Sequence, residues 1–126
     1  MEREIILTDK APAPIGPYSQ AVLVENTLFI SGQIAIEPIS GTIIRGDIEM
    51  ETKQVLENLG AVLQAAGMNF SNLVKTTIFI KDMNDFGKIN GMYTNYFIEK
   101  FPARETVEVA RLPKDVRVEI SGIAVR

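Results

Sequence analysis

Two stretches of helical periodicity, separated and flanked by strand-like segments, constrain the fold of this chain more than any other feature. In the longer one, apolar residues recur at intervals of three and four positions between Asp47 and Gly67. Asp47 suits an N-cap, and Gly67 suits the stop that follows a helix. The spacing therefore predicts an amphipathic helix whose buried stripe comprises Ile48, Val55, Leu56, Leu59, Val62, Leu63 and Ala66.

A second helix is predicted after the turn at residues 82–85 and is shorter. Its apolar positions are Ile89, Met92, Tyr93, Tyr96 and Phe97. An interior glycine, Gly91, lowers its helix propensity by about 1 kcal/mol relative to alanine.

The remaining periodic segments predict strands. They are residues 18–25 and 27–33, joined tightly at Glu25 and Asn26; 73–80, rich in β-branched residues; and 105–111 and 116–125, joined by a turn at 112–115. The order ββ-α-β-α-ββ, with room for one further strand, predicts an α+β fold in which both helices cover one face of a mixed sheet. The length of 126 residues suits a single domain spanning 1–126.

The opposite face of the predicted sheet carries a mixture of polar and apolar side chains. In the last strand Val118 and Ile120 alternate with Glu119 and Ser121, and in the strand taken as its neighbour valines alternate with Thr106 and Glu108. Such a face is either solvated or packed against another subunit, and the sequence leaves both interpretations open.

The amino-acid composition excludes several kinds of catalytic and binding site. The chain has no histidine and no cysteine, which excludes Ser-His-Asp and Cys-His systems and the usual zinc ligand sets. A net charge of −3 argues against bulk attraction to nucleic acid or to an anionic membrane. No stretch reaches membrane-spanning length and no export signal is recognisable, so the cytoplasm is the expected location.

Two charged residues stand out as candidates for chemistry. Arg104, at a strand entrance, has a guanidinium that could hold a carboxylate through two hydrogen bonds, or it is a surface arginine paired with Glu105. Glu119, in the middle of a strand with apolar neighbours, could orient a water or carry a proton, or it pairs with a basic residue on the next strand.

Weaker candidates accompany them. Tyr18 could line a pocket or simply pack, and Ser31 and Gly32 mark either a close approach to a ligand or a bulge. Asn90, near the start of the second predicted helix, is most simply an exposed residue. Asp82 and Asp85 lack the spacing of a calcium loop, so no metal site is predicted. Taken singly, none of these residues identifies a reaction.

Together, five segments closely resemble the reactive-intermediate deaminase (Rid) family, also called YjgF-like or L-PSP endoribonuclease. The resemblance runs in order along nearly the whole chain and is most specific around Arg104. The segments are residues 15–21 (IGPYSQA), 31–34 (SGQI), 74–82 (VKTTIFIKD), 102–104 (PAR) and 107–115 (VEVARLPKD).

The resemblance implies a chorismate-mutase-like fold assembled as a homotrimer with three clefts between subunits. It implies hydrolysis of 2-aminoacrylate and related 2-imino acids to 2-keto acids and ammonia, without metal or organic cofactor. It also assigns roles: Arg104 grips the substrate carboxylate, Gly32 offers a backbone N–H, Tyr18, Ser31 and Asn90 line the cleft, and Glu119 positions the attacking water together with the backbone at Thr106.

One departure from the family pattern bears on the site. Glu105, where many members have a small residue, could compete for the Arg104 guanidinium, although successive side chains of a strand point to opposite faces. Two other hypotheses remain open: an endoribonuclease or translation inhibitor, against which the acidic charge and missing histidine weigh, and a non-catalytic trimer that binds a keto acid or amino acid.

Overall fold

The computed structural model describes residues 1–126 and contains one six-stranded sheet and two α-helices. In chain order the elements are β1 (Glu4–Ile6), β2 (Ala21–Val24), β3 (Thr27–Gln33), α1 (Ile48–Ala65), β4 (Leu73–Ile80), α2 (Phe86–Thr94), β5 (Ala103–Glu108) and β6 (Val118–Val125). The strands lie side by side in the order β1-β2-β3-β6-β4-β5. Neither helix is long and apolar enough to cross a membrane.

Helix α1 forms as the sequence predicts. The Asp47 carboxylate accepts a hydrogen bond of 2.8 Å from the backbone N–H of Met50, which satisfies one of the free donors at the helix start. Just beyond the helix, Gly67 adopts a φ of 74°, a left-handed conformation that glycine takes without a steric penalty. The apolar stripe is fully buried, with Leu56, Leu59 and Leu63 completely inaccessible to solvent.

Helix α2 is shorter than predicted, because it ends at Thr94 and leaves Tyr96 and Phe97 outside it. Both aromatic side chains still pack against the core, which explains why they continued the apolar pattern. The Tyr96 ring lies 5.1 Å from the ring of Phe70, and its hydroxyl donates to a carboxylate oxygen of Glu57 at 2.7 Å. These contacts stabilise a turn that follows the helix. The spacing of apolar residues in such a turn does not differ from that in a further turn of helix.

The sheet is mixed, as predicted, but the last two strands are not neighbours. Strand β4 lies between them, pairing antiparallel with β6 and parallel with β5. A parallel pair requires a crossover connection, and α2 supplies it between β4 and β5. The expectation that the segment around Thr106 pairs with the segment around Glu119 is therefore wrong. Strand β5 also begins at Ala103 and ends at Glu108, earlier than the predicted 105–111.

The N-terminal part of the sheet differs from the prediction as well. Strand β1 is a short edge strand that pairs antiparallel with β2 and was not predicted as an element. Strand β2 begins at Ala21 instead of Tyr18, because the chain is still turning there: the Tyr18 N–H donates to the Gly16 carbonyl at 2.9 Å. The tight connection at Glu25 is confirmed, with a φ of 54° at that residue.

The two faces of the sheet are covered differently. On one face Ile78, Ile80, Val118 and Ile120 are buried in the core that includes both helices. Helix α2 is tied to this face by a buried hydrogen bond of 2.7 Å between the hydroxyl groups of its Tyr93 and of Thr76. The predicted α+β arrangement with helices on one face is thus confirmed.

The opposite face, which we call the open face, carries no helix. Its side chains are partly or largely accessible and mix apolar groups with polar ones, as the sequence alternation predicts. They include Phe29, Thr77, Phe79, Glu105, Val107, Glu119, Ser121 and Ile123.

A buried ion pair joins the start of α1 to the start of β6. The Glu51 side chain is 3% accessible, and it accepts 2.8 Å from Arg117 Nε and 2.7 Å from the Arg117 backbone N–H. The other end of the guanidinium donates to the Gly46 carbonyl at 2.6 Å. These bonds satisfy a carboxylate that would otherwise be buried at high cost.

We expect Glu51→Ala to lower the free energy of unfolding by about 2 kcal/mol, because the half-buried Arg117 would lose its counter-ion. Denaturant unfolding at one fixed protein concentration measures this change. Glu49→Ala is the matched control, since Glu49 lies in the same first turn and its carboxylate has no basic side chain within ion-pair distance. Equal effects of the two substitutions would show that only the interaction with the helix dipole is lost.

Candidate functional site

A buried glutamine shapes the loop that precedes β2. The side-chain amide of Gln20 is almost inaccessible, and its nitrogen donates to the carbonyls of Pro12 at 2.8 Å and Thr8 at 3.0 Å. Its oxygen accepts from the Thr8 N–H at 2.7 Å. One side chain therefore fixes the proline-rich loop against the sheet. Sequence reasoning did not single out Gln20, because an amide at a strand entrance looks like any surface residue.

Strand β3 contains an irregularity at Ser31 and Gly32, where the pairing register with β6 shifts between Ile30 and Gln33. The Ser31 hydroxyl donates to the Ser19 carbonyl at 2.6 Å, and the Ser31 N–H donates to the Gln20 carbonyl at 3.0 Å. The bulge anticipated as one alternative is therefore present, and it coincides with a pocket. Because the Ser31 proton is used by the loop, its oxygen is left as an acceptor.

Glu119 lies directly against Gly32. A Cβ at position 32 would stand 2.6 Å from a Glu119 carboxylate oxygen, so only glycine leaves space for the carboxylate in this position. The residue paired with Glu119 on β4 is Phe79, and no basic residue lies within ion-pair distance, so the alternative of cross-strand charge pairing is wrong. Burial without a counter-charge raises the pKa of the Glu119 carboxyl above its ordinary value.

These groups line a cavity of about 280 Å³ that we call the Glu119 pocket. Tyr18, half-exposed, stands on its wall with Ser31 and Gly32, while the proline loop supplies apolar surface. The lining residues are Pro12, Ala13, Ile15, Tyr18, Gln20, Ser31, Gly32, Gln33, Ile34, Ile36, Pro113 and Glu119.

Arg104 lies in a different cavity of about 420 Å³, which we call the Arg104 pocket. Its Nη1 donates to the Asn90 side-chain oxygen at 2.7 Å, and its guanidinium carbon lies 5.1 Å from the Tyr93 ring centre and 5.6 Å from that of Phe86. The aromatic rings favour a cation at this place. No carboxylate of the chain pairs with Arg104, which leaves guanidinium N–H groups available for an anionic ligand.

Glu105 does not compete for this guanidinium. It points to the open face, where it forms an ion pair of 2.9 Å with Lys75 and accepts a hydrogen bond from Thr77. These two partners lower the pKa of the Glu105 carboxyl, the bond from Thr77 contributing most. The alternation of side chains along β5 thus separates the two neighbouring charges, and the alternative of an Arg104–Glu105 pair is wrong.

Thr106 lies two positions after Arg104 on β5, so its side chain points to the same face of the sheet, toward the helices. It is aligned with Ile78 of β4, and its hydroxyl oxygen is buried without a hydrogen-bond partner in the chain. A buried hydroxyl without a partner is uncommon, and Thr106 Oγ1 is the one buried side-chain nitrogen or oxygen of the structure that lacks one.

The seven residues singled out from the sequence therefore fall into two groups within one chain. Tyr18, Ser31, Gly32 and Glu119 share the Glu119 pocket, and Asn90 and Arg104 share the Arg104 pocket, with Thr106 on the same strand. Arg104 is aligned with Thr76, which faces the helices, whereas Glu119 is aligned with Phe79, which faces away from them. The two charged groups thus lie on opposite faces of the sheet.

We expect Gly32→Ala to displace the Glu119 side chain toward water and to return its pKa toward the ordinary value. The added Cβ cannot coexist with the present carboxylate position, and hydration removes the cause of the raised pKa. Carbon-13 NMR titration of the carboxyl carbon measures the shift, with Gly87→Ala as control because no atom lies near a Cβ there. An unchanged Glu119 titration in Gly32→Ala would contradict this account.

Comparison with known proteins places the chain in a family. The family model described as Endoribonuclease L-PSP matches residues 8–126. A human 2-iminobutanoate/2-iminopropanoate deaminase is 51% identical over 124 residues, which cover 98% of this chain and 90% of that protein.

Solved structures agree with this placement. A Rid-family protein from Yersinia pestis is 48% identical with a TM-score of 0.97, covering 99% of this chain and 100% of that one. The TdcF protein of E. coli, solved with bound serine, is 44% identical with a TM-score of 0.94 and 98% coverage of both chains. The resemblance seen in the sequence is confirmed, and the chain belongs to the Rid (YjgF, or L-PSP endoribonuclease) family.

Proposed function

We propose that this protein is an enamine/imine deaminase that hydrolyses 2-aminoacrylate and related 2-imino acids to 2-keto acids and ammonia. The observation that carries the proposal is the unpaired guanidinium of Arg104, held by Asn90 over two aromatic rings. A planar carboxylate is the natural partner of such a group. The relative named as a deaminase and the relative solved with serine, which bears the same carboxylate, support this choice.

The reaction mainly requires the protein to position the substrate and the attacking water. The carbon of a 2-imino acid is already electrophilic, so holding a water beside it supplies much of the acceleration. Glu119 accepts a proton from that water while the oxygen bonds to the imine carbon, and the π electrons of the C=N bond move to the nitrogen, which takes up that proton. The C–N bond of the resulting amino alcohol then breaks as its hydroxyl loses a proton and becomes the keto carbonyl, and the nitrogen takes that proton and leaves as ammonia. The raised pKa of Glu119 suits this exchange, because it brings the proton affinity of the carboxyl closer to the working pH.

The scheme uses only side chains and backbone groups, without a metal or organic cofactor. Gly32, beside Glu119, offers a backbone N–H to the ligand, and Ser31 offers an acceptor oxygen. Tyr18 closes the wall of the pocket. The backbone at Thr106 shares the positioning of the attacking water.

We further propose that the working site lies between two copies of the chain in a chorismate-mutase-like homotrimer, each copy a single domain of residues 1–126. Arg104 and Glu119 lie on opposite faces of one sheet, so one copy alone does not bring both to the same ligand. Packing the open face of each copy against its neighbours would cover Phe29, Phe79 and Val107 and create three clefts.

We expect Arg104→Ala to lower kcat/KM for 2-imino acids by at least about 100-fold, because the carboxylate loses a charged, doubly hydrogen-bonded partner. The imine is generated in place by a dehydratase acting on serine, with semicarbazide as a competing trap, and keto-acid release is followed. Arg126→Ala, which removes an exposed charge at the C-terminus, is the control. Full activity of Arg104→Ala would refute the mechanism.

The same assay separates the alternatives. If the wild-type protein accelerates keto-acid release from neither the serine-derived nor the threonine-derived imine, a binding module or another substrate class becomes the better explanation. RNA cleavage that survives stringent purification and is lost in Arg104→Ala would instead favour the endoribonuclease hypothesis.

A mixing experiment tests the shared site. Arg104→Ala and Glu119→Gln are each expected to be nearly inactive, but co-refolding them in equal amounts should restore roughly a quarter of the wild-type activity. In a randomly mixed trimer, one cleft in about four receives an intact Arg104 from one copy and an intact Glu119 from the next. Activity no higher than that of the separate variants would mean that both residues act within one chain.

A further inference from the structure

Basic side chains gather around one loop, although the chain as a whole is acidic. Arg111 Nε lies 2.7 Å from an Asp115 carboxylate oxygen, and Arg45 Nη2 donates to the Lys114 carbonyl at 3.2 Å. The pKa of Asp115 is lowered by Arg111 foremost and also by the charges of Arg45 and Lys81. We call Arg45, Lys81, Arg111 and Lys114 the basic collar.

The collar carries an excess of positive charge. Asp115 is the only carboxylate within ion-pair distance of any of its members, and it engages Arg111. The nearby Glu51 is already neutralised by Arg117. A net charge of −3 for the whole chain makes this local excess stand out.

The backbone of the loop that carries Arg111 and Lys114 is constrained. Lys114 and Asp115 both have a φ of 56°, a left-handed conformation that is sparsely populated by residues other than glycine. The loop is anchored on either side by Leu112 and Val116, which are buried at 6% and 1% exposure. The backbone between Arg111 and Asp115 is therefore anchored to the core on both sides.

The same loop forms part of the Glu119 pocket. Pro113 lines that pocket together with residues of the proline-rich loop. Lys114 follows Pro113 directly in the chain, and Arg111 lies two positions before it. The loop that carries Arg111 and Lys114 thus borders a pocket whose only carboxylate, Glu119, would repel an anionic ligand when ionised. Cations at the mouth of a cleft concentrate ligands of opposite charge and raise their rate of encounter.

We propose that the basic collar attracts the carboxylate of an incoming 2-imino acid to the Glu119 pocket, and that it acts on substrate capture and not on the chemical step. The proposal rests on the deaminase function proposed above. The collar offsets the repulsion between an anionic substrate and an acidic protein, and its effect weakens with salt because charges beyond about 10 Å are screened at 0.1 M ionic strength.

The test compares two triple variants that remove the same number of positive charges. The collar variant is Lys81→Gln, Arg111→Gln and Lys114→Asn, since asparagine tolerates the left-handed conformation at position 114. The control variant is Arg3→Gln, Lys53→Gln and Arg126→Gln, all exposed and none lining the Glu119 pocket. Arg45 is left intact because it ties the loop through the Lys114 carbonyl.

Keto-acid release is measured in the semicarbazide assay at about 20 mM and about 500 mM salt, each variant relative to wild type at the same salt, so that effects on the dehydratase cancel. We expect the collar variant to lose roughly 3- to 10-fold in kcat/KM at low salt through a higher KM, with kcat unchanged. The loss should largely disappear at high salt. Equal behaviour of the two variants would overturn the proposal.

A binding measurement keeps the collar testable apart from the reaction. NMR titration with 2-oxobutanoate, and with its uncharged amide as a reference, should show weaker binding of the anion alone in the collar variant at low salt. An inactive wild-type protein would refute the deaminase proposal. The titration alone would then decide whether the basic collar attracts anionic ligands. Unchanged anion affinity in the collar variant would refute it.

Discussion

The arrangement of functional groups in this chain depends on one constraint, the alternation of side chains across a single sheet whose two faces have different partners. Helices α1 and α2 cover one face, and the residues that point there either join the core or, at the edge strand β5, stand beside α2 as Arg104 does. Residues one position along the chain point to the open face. Glu105 and Arg104 are therefore separated although they are adjacent in sequence, and Arg104 and Glu119 are separated although both are singled out for the same reaction.

This constraint also explains which parts of the structure could be predicted. The periodicity of α1 is a local property, written in residues three and four apart, and its cap and stop were correctly placed at Asp47 and Gly67. The partner of a strand is not local: the position of β4 between β5 and β6 depends on the crossover through α2, and the short β1 becomes a strand only because β2 is beside it. Pattern alone gave the class of fold but not the order of its strands.

The candidate site shows the same division. Arg104, Glu119 and Gly32 drew attention by residue type and position, and the resemblance to the Rid family grouped them. Residue type does not reveal which neighbouring groups hold these side chains in position. Gln20 fixes the proline loop through bonds to backbone groups of Thr8 and Pro12, which lie 12 and 8 positions earlier in the chain. Gly32, at the register shift in β3, leaves the space that the Glu119 carboxylate occupies. These contacts join residues that are far apart in the sequence, so they form only once the chain has folded.

Strand β5 has an unpaired edge, because it pairs with β4 on one side and with no strand of the chain on the other. An exposed edge is a template for pairing with the wrong strand of another molecule, and charged side chains are a common protection against it. Arg104, Glu105 and Glu108 place a charge at half of the six positions of β5. Arg104, the residue proposed to hold the ligand, is thus also one of the charges that oppose aggregation through this edge, so a substitution at that position would alter both binding and solubility.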